Sequence, residues 1–305
     1  MLSAMKWPAY AVVVLGVGCG SVKSKSPVDA PPGTTDAPAD TTGALDAPAP
    51  ACDVSQPFGI PVQVAGVHDA AANDTHGTLT ADELTIFFAS DRQDGSTWHL
   101  YSAIRASRTE PFGSPGLVGG LYSAQGESHP SVSPDGNTIY FDSFRVSAGT
   151  VHIFTSTRTN AAVSFPTATM ITGDYLIDPA ITADGSVLYA ANLSSGGLVR
   201  LDRAGTGFGP PQAVALQAAN SIVSPATNDD LTMFVSFGDT VGSVIAVTQR
   251  ASTTTGFPAP ATIAELATGA SIAEPSWVSP DGCRLYLTYA VGTGKQTIYM
   301  ATRPD

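Results

Sequence analysis

Six acidic or imidazole side chains stand near the starts of short, strand-like segments, and these are the residues best suited to proton transfer or ligand binding: Asp74, His76, Glu127, His129, Asp178 and Glu274. Paired carboxylates can act as general acid and base on a glycosidic bond. His76, His129 and Asp178 hold one position relative to a repeated turn. The fourth and fifth copies of that turn place Val223 and Pro275 there instead. Because the set is incomplete, we predict binding residues and no catalytic residue.

Other signatures of catalysis and of metal binding are absent from the sequence. The five histidines are scattered, and no pair has a metal-ligand spacing such as HExxH. There is no GxSxG motif to present a nucleophilic serine. Acidic residues at such positions also occur where they only accept hydrogen bonds from loop backbone N–H groups. We therefore predict no metal site and no cofactor, and we expect the protein not to be an enzyme.

A repeated turn followed by an apolar strand must position these side chains. Its five copies begin at Thr80, Ser133, Thr182, Thr227 and Ser279 and read TADELTIFFAS, SPDGNTIYFDS, TADGSVLYAAN, TNDDLTMFVSF and SPDGCRLYLTY. The aspartates that they share are Asp82, Asp135, Asp184, Asp229 and Asp281. These aspartates are 45 to 53 residues apart, which leaves room for about four short strands in each repeat.

The turn chemistry follows from the residues at its centre. An aspartate such as Asp135 accepts backbone N–H bonds, and the following Gly136 tolerates a positive φ. Two copies carry Glu83 and Asp230 where glycine is expected. Those two turns must differ in geometry or carry strain.

The repeats also indicate how the fold closes. Most copies lead to a Phe followed closely by Pro, which opens an outer strand, but the fifth copy lacks this piece. The missing piece stands at the other end of the domain, in residues 58–64. The N-terminal strand would then complete the last blade, leaving no open sheet edge. The sequence therefore predicts an all-β, five-bladed β-propeller with four-stranded blades.

Two cysteines support this closure. Cys283 begins the second strand of the fifth blade, and Cys52 shortly precedes the strand that would complete it. These strands lie two strand spacings apart, about 10 Å, which the intervening residues can span. We predict a Cys52–Cys283 disulfide; the alternative is two free thiols, which is less favoured outside the cytoplasm.

The N-terminal region predicts export. Residues 1–18 have a short apolar stretch suited to a secretory signal peptide, and its end at Cys19 resembles a bacterial lipobox, in which the cysteine is lipidated. The alternative is an ordinary signal peptide. Residues 19–51 are rich in Pro, Ala, Asp and Thr and lack aromatic residues, so they predict a disordered tether. The folded domain is predicted over 52–305.

The overall charge restricts the class of partner. The formal net charge is −12, and Lys and Arg form no cluster. Nucleic acids need clustered cations against their phosphates, so we exclude them as partners. The acidic excess favours solubility.

The stretches SPDGNTIYFDSFR and SPDGCRLYLTY resemble the WD40-like PD40 repeats of TolB-type propellers and of bacterial exported lipoproteins. The resemblance covers residues 58–305, although TolB-type propellers have six blades and an additional N-terminal α/β domain. It implies a membrane-anchored protein of the periplasm or cell surface. The lipobox-like site, the tether, the ring and the lack of a coherent catalytic set favour a non-catalytic scaffold that binds an envelope or extracellular protein or peptide. The alternative is a carbohydrate-binding or glycoside-hydrolase-like propeller that uses the six residues above at the mouth of its channel.

Overall fold

The structure is a computed structural model that describes residues 52–147, 149–216, 222–239, 242–267 and 269–305. The predicted signal peptide, the predicted lipidation at Cys19 and the predicted tether lie outside the described residues and stay predictions. Within the described ranges, no helix is long and apolar enough to cross a membrane.

The described chain forms five antiparallel sheets, which are the blades of a β-propeller. The first strand of the chain, β1 (Val62–Gln63), belongs to the last blade. Blade 1 contains β2 (Asp74–Leu79), β3 (Thr85–Ser90), β4 (His99–Ile104) and β5 (Gly116–Leu117). Blade 2 contains β6 (Glu127–Val132), β7 (Thr138–Ser147), β8 (Thr150–Thr157) and β9 (Thr169–Met170).

The remaining blades follow the same order. Blade 3 contains β10 (Leu176–Ile181), β11 (Val187–Asn192), β12 (Gly197–Ala204), the short extra strand β13 (Gly207–Phe208) and β14 (Gln212–Ala213). Blade 4 contains β15 (Ile222–Ala226), β16 (Thr232–Asp239), β17 (Gly242–Gln249) and β18 (Ala261–Thr262). Blade 5 contains β19 (Ile272–Val278), β20 (Arg284–Ala290) and β21 (Thr297–Thr302). Two helical turns connect blades: a 3₁₀ turn (Gly119–Leu121) and α1 (Ala264–Ala267).

The innermost strands β2, β6, β10, β15 and β19 contact one another around a ring and line the central channel. All five strands enter from the same end of the channel and finish at the repeated turns, so we call the two ends the entry end and the turn end. Each innermost strand contains a β-bulge, where its pairing with the second strand shifts register. A bulge re-aims side chains, and here it directs them into the channel.

The repeated turn has the predicted chemistry. The Ser133 hydroxyl donates to Asp135 at 2.6 Å, the Asn137 N–H donates to it at 3.0 Å, and φ at Gly136 is 71°. These hydrogen bonds, with that from Ser133 the strongest, hold the pKa of Asp135 below its usual value. Glu83 keeps the left-handed conformation, with φ of 61°, whereas Asp230 does not. The first exceptional turn therefore carries strain, and the second differs in geometry.

The N-terminal strand closes the ring, as predicted. In β1, Val62 pairs with Met300 and Gln63 with Tyr299 of β21. Cys52 and Cys283 form the predicted disulfide. The sheet and the covalent bond together join the first described residues to the last blade.

The apolar core lies between neighbouring blades rather than within one sheet. Leu79 and Ile86 of blade 1, for example, pack with Tyr286 and Ile298 of blade 5. The Phe of each Phe–Pro signal lies under the guanidinium of the Arg that follows or ends the third-strand segment of its blade. The distance from ring centroid to Arg Cζ is 4.2 to 4.5 Å in these pairs: Phe58 with Arg303, Phe112 with Arg105, Phe165 with Arg158, Phe208 with Arg203 and Phe257 with Arg250. Such cation–π contacts stabilise the arrangement of the blades.

Candidate functional site

The bulges of four blades place one residue each in the channel with a left-handed backbone. These residues are His76, His129, Asp178 and Ser224, with φ of 53°, 46°, 54° and 50°. The conformation is unfavourable for non-glycine residues, and strain of this kind is concentrated at functional sites. Hydrogen bonds between blades hold it: the N–H of His76 donates to Thr288 Oγ1 at 2.9 Å, and the N–H of Ser224 donates to Asp178 Oδ2 at 2.9 Å.

His129 lies between two carboxylates. Its Nδ1 is 2.7 Å from Asp142 Oδ2, and its Nε2 is 3.0 Å from Asp178 Oδ1. Burial alone would lower the pKa of His129, but the two carboxylates outweigh it and raise the pKa well above the usual value. His129 is therefore a cation at neutral pH when nothing else is bound.

Asp178 is the complementary anion. Burial opposes its ionisation, but the charge of His129, the charge of His76 and the N–H of Ser224 outweigh burial and lower the pKa of Asp178. Its side chain is 5% exposed. Asp178 is thus an ionised carboxylate at the wall of the channel.

His76 connects this pair to a second carboxylate. Its Nε2 lies 3.4 Å from Glu274 Oε2 and 3.3 Å from Ser224 Oγ. Its ring meets the His129 ring edge to face, with centroids 4.1 Å apart. Its Nδ1 is buried and has no hydrogen-bond partner. We call the six residues that meet here the channel cluster: His76, His129, Asp142, Asp178, Ser224 and Glu274.

Four of the six predicted residues belong to the channel cluster, and two do not. Asp74 forms an ion pair with Arg92 at 2.6 Å and accepts the N–H of Asp69 at 2.8 Å. Glu127 forms an ion pair with Arg145 at 3.1 Å and contacts His99 at 3.0 Å. Both carboxylates are buried and hold loops at the entry end, so neither is available to a ligand.

Ser224 and Asp142 are the members that sequence reasoning missed. Ser224 precedes Pro225, as His129 precedes Pro130 and Asp178 precedes Pro179. In blade 4, one residue fewer separates this proline from the repeated turn that begins at Thr227. Counting back from the turn by the distance found in the first three blades therefore gives Val223 instead of Ser224. The X–Pro pair was the usable signal.

Asp142 lies on a second strand and pairs with Ser128 in the sheet. The other blades place Ala89, Ala191, Ser236 and Thr288 at this position, so Asp142 is its only ionisable residue. The Ser128 hydroxyl donates to Asp142 Oδ1, and the N–H of Asp178 donates to Asp142 Oδ2 at 3.2 Å. Asp142 therefore orients the His129 ring and links blade 2 to blade 3 through the backbone of Asp178.

Three cluster residues are also able to hold a metal ion. One ligand atom each from His76, His129 and Asp178 lies within 4.8 Å of the others, and these are the only residues in the described ranges with such a grouping. The grouping joins three blades, which explains why spacing along the sequence did not reveal it.

The turn end of the channel has a different lining. It is a narrow, partly open funnel with walls that include Leu79, Val132, Ile181 and Trp277. Its polar groups are matched within the ring: Thr78 Oγ1 accepts the N–H of Val132 at 3.2 Å. Chemistry that needs charge therefore belongs to the channel cluster.

No protein-family model and no curated protein matches the chain. Among solved structures, a GH43_1 enzyme from Xanthomonas citri complexed with xylotriose is 15% identical with a TM-score of 0.60, over 80% of this chain and 90% of that chain. An α-L-arabinofuranosidase from Podospora anserina in complex with cellotriose is 10% identical with a TM-score of 0.55, over 83% of this chain and 98% of that chain. The chain has the fold of these enzymes.

These similarities correct one prediction. The expectation that the protein is not an enzyme is contradicted, because the chains that share its fold include several glycoside hydrolases. TolB from Acinetobacter baumannii is 15% identical with a TM-score of 0.48, over 76% of this chain and 55% of that chain. That likeness is too distant to carry an argument. The five blades confirm that the chain forms a β-propeller, as the TolB-type resemblance implied. Membership of the PD40 family and lipoprotein status stay predictions.

Proposed function

We propose that the protein is a carbohydrate-active propeller that hydrolyses glycosidic bonds at the entry end of its channel. The observation that carries the proposal is the meeting of two carboxylates, Asp178 and Glu274, at His76. Glycosidases place a proton donor and an ionised carboxylate about 5–9.5 Å apart on either side of the bond that breaks. The shared five-bladed fold of glycoside hydrolases supports the same assignment.

The environments of the two carboxylates suit different roles. His129 and the Ser224 N–H keep Asp178 ionised, so it is the candidate base or the stabiliser of positive charge on the sugar ring. Glu274 lies further out, with 24% of its side chain exposed, and its Oε2 is 3.4 Å from Nε2 of His76. Glu274 is therefore the candidate proton donor to the leaving oxygen.

Part of the site is exposed to solvent, beside a small cavity that His76, His129 and Asp178 line. The side chain of His129 is 26% exposed although the two aspartates that it joins are buried. A sugar hydroxyl can reach the imidazole and Glu274 from the entry end, while Asp142 holds the cluster from below. A shallow, partly exposed mouth of this kind fits a chain end or a side branch of a polysaccharide.

The test is turnover of glycans by the full chain. Arabinoxylan, xylo-oligosaccharides and cello-oligosaccharides are suitable first substrates, and release of reducing ends is the measurement. Glu274→Gln and Asp178→Asn are each expected to lower kcat/KM at least about 100-fold, the contribution of a general acid or base. Glu110→Gln, which removes an exposed carboxylate outside the cluster, in the loop between β4 and β5, is the matched control and should retain turnover.

Two outcomes would overturn the proposal: no turnover of any glycan, or turnover that both cluster variants retain. Glycan binding without hydrolysis would indicate a lectin and would also exclude the hydrolase. The predicted lipid anchor at Cys19, the envelope location and a protein or peptide partner do not contribute to this proposal and stay predictions.

A further inference from the structure

We propose that the channel cluster binds one divalent transition-metal ion, with Zn²⁺ as the reference ion, through His76, His129 and Asp178. The site shares Asp178 with the proposed hydrolase but is argued from geometry alone. Ligand atoms of the three residues lie within 4.8 Å of one another. Zinc bonds of about 2.0–2.2 Å need ligand atoms somewhat over 3 Å apart, so small side-chain rotations suffice. His129 Nε2 and Asp178 Oδ1, at 3.0 Å, are already at this spacing.

Two buried polar atoms in the cluster have no hydrogen-bond partner, namely His76 Nδ1 and Asp178 Oδ1. The 3.0 Å contact of Asp178 Oδ1 with His129 Nε2 is an ion pair whose direction does not suit a hydrogen bond. Buried polar atoms are normally paired, so each unpaired one requires an explanation. Both atoms belong to residues of the proposed ligand set, and a cation bound at Asp178 Oδ1 would satisfy that atom.

The surrounding residues resemble those that support metal ligands. Metal-bound histidines usually donate their second ring N–H to a carboxylate, which fixes the tautomer and directs the other nitrogen at the ion. Asp142 Oδ2 is placed to accept from Nδ1 of His129, at 2.7 Å, which leaves Nε2 for a metal. Glu274 Oε2 stands at 3.4 Å from Nε2 of His76, whose Nδ1 is the unpaired atom. Each imidazole thus has its own carboxylate.

The ligand types determine which ion fits. Two imidazoles and one carboxylate suit zinc, nickel or copper, whereas calcium and magnesium prefer sites made wholly of oxygen atoms. The described cluster offers too few oxygen ligands for a calcium site of six to eight ligands. We therefore expect zinc and nickel to bind and calcium and magnesium to bind far more weakly.

Titration calorimetry of the chelator-treated full chain tests the proposal, with ZnCl₂, NiCl₂, CaCl₂ and MgCl₂ as probes. The expected result is one zinc ion per chain. His76→Asn is the main variant, because asparagine tolerates the left-handed backbone that this position requires. It should weaken zinc binding by about tenfold or more while the circular dichroism spectrum and Tm show a folded protein. His68→Asn replaces a histidine outside the cluster and should bind zinc as the wild type does.

A second measurement does not depend on affinity. Co²⁺ in place of zinc should give the visible absorption of a histidine-ligated ion, and His76→Asn should change that spectrum. Zinc binding that both histidine variants retain equally, or calcium bound as tightly as zinc, would overturn the proposal.

Activity and binding are measured separately so that the two proposals can fail independently. Zinc bound to a chain that hydrolyses no glycan supports the metal site and excludes the hydrolase. Hydrolysis that persists in EDTA, in a chain that binds no zinc, supports the hydrolase and excludes the metal site.

Discussion

The two ends of the channel are built from the same five strands but differ in how strictly they repeat. At the turn end every blade carries an aspartate in the same place, from Asp82 in blade 1 to Asp281 in blade 5. At the bulge position that faces the channel, the five blades contribute four residue types: His76, His129, Asp178, Ser224 and Pro275. The difference shows that a structural need common to all blades preserves the repeat, whereas a site with specific chemistry requires the repeat to be broken.

Hydrogen bonding shows the same contrast. The Ser or Thr hydroxyl of the turn donates to the aspartate in four blades, at 2.5 or 2.6 Å. The channel cluster instead keeps two buried atoms unpaired and four residues in a strained backbone. The turn end is therefore expected to determine stability, and the cluster to determine ligand binding. Three experiments, on Glu83, on the disulfide and on His129, test this division.

The largest loss of stability is expected from Glu83→Gln at the turn end. Glu83 is fully buried, and Arg284 Nη2 contacts its carboxylate at 2.7 Å. Arg105 Nη2 lies 3.8 Å from the same carboxylate. Removing the Glu83 charge leaves the buried arginines without a counter-ion, which lowers the free energy of unfolding by about 3–5 kcal/mol. Urea unfolding measures this loss.

Glu83→Gly is the matched variant, because it removes the same charge but relieves the positive φ. It should be less destabilised than Glu83→Gln by about 1–2 kcal/mol. Greater stability than the wild type in Glu83→Gly would mean that backbone strain outweighs the ion pair. Zinc binding should be unchanged in both variants.

The second effect concerns the disulfide. The double variant Cys52→Ser/Cys283→Ser should unfold with about 2–4 kcal/mol less stability, because a crosslink over 231 residues no longer restricts the unfolded chain. Reduction of the wild type with dithiothreitol should give the same unfolding curve. If glycan turnover falls in the double variant under conditions where it stays folded, the two ends are coupled and the comparison fails.

The smallest effect is the pH dependence that His129 contributes in the presence of EDTA. Because the pKa of His129 is raised in the folded state, its contribution to stability is fully present below the unfolded value of about 6.5 and is lost as pH rises through the folded value. As pH rises above 6, the Tm of the wild type should therefore fall by a few degrees more than the Tm of His129→Gln. This difference corresponds to a free energy of unfolding on the order of 1 kcal/mol. Parallel Tm curves for the two proteins would show that the ion pairs of His129 do not stabilise the fold.

The blades, their closure and the disulfide could be predicted from the sequence because each depends on local signals that recur. A turn aspartate, an apolar strand and a Phe–Pro signal are visible in almost every repeat, and residues 58–64 supply the piece missing from the fifth. The channel residues of blades 1 to 3 could be predicted for the same reason, since His76, His129 and Asp178 are equidistant from their turns.

The remainder of the site depends on contacts between blades, which no single repeat records. Ser224 stands one residue closer to its turn than its counterparts in the first three blades. Asp142 accepts a hydrogen bond from the N–H of Asp178 in the neighbouring blade. Asp74 and Glu127 were assigned to the channel although each has an arginine 18 residues further along as its partner. The equal spacing in two blades is the sequence signal that indicates two structural ion pairs.

Closure by the N-terminal strand has a consequence for how the protein is made. Residues near Cys52 emerge from the ribosome 231 residues before Cys283, an interval on the order of 10–50 seconds at about 5–20 residues per second. During that time the β1 segment and its thiol have no partner, and the apolar face of each newest blade lacks the neighbour that will cover it. Completion of the ring must therefore wait until the last blade has been synthesised.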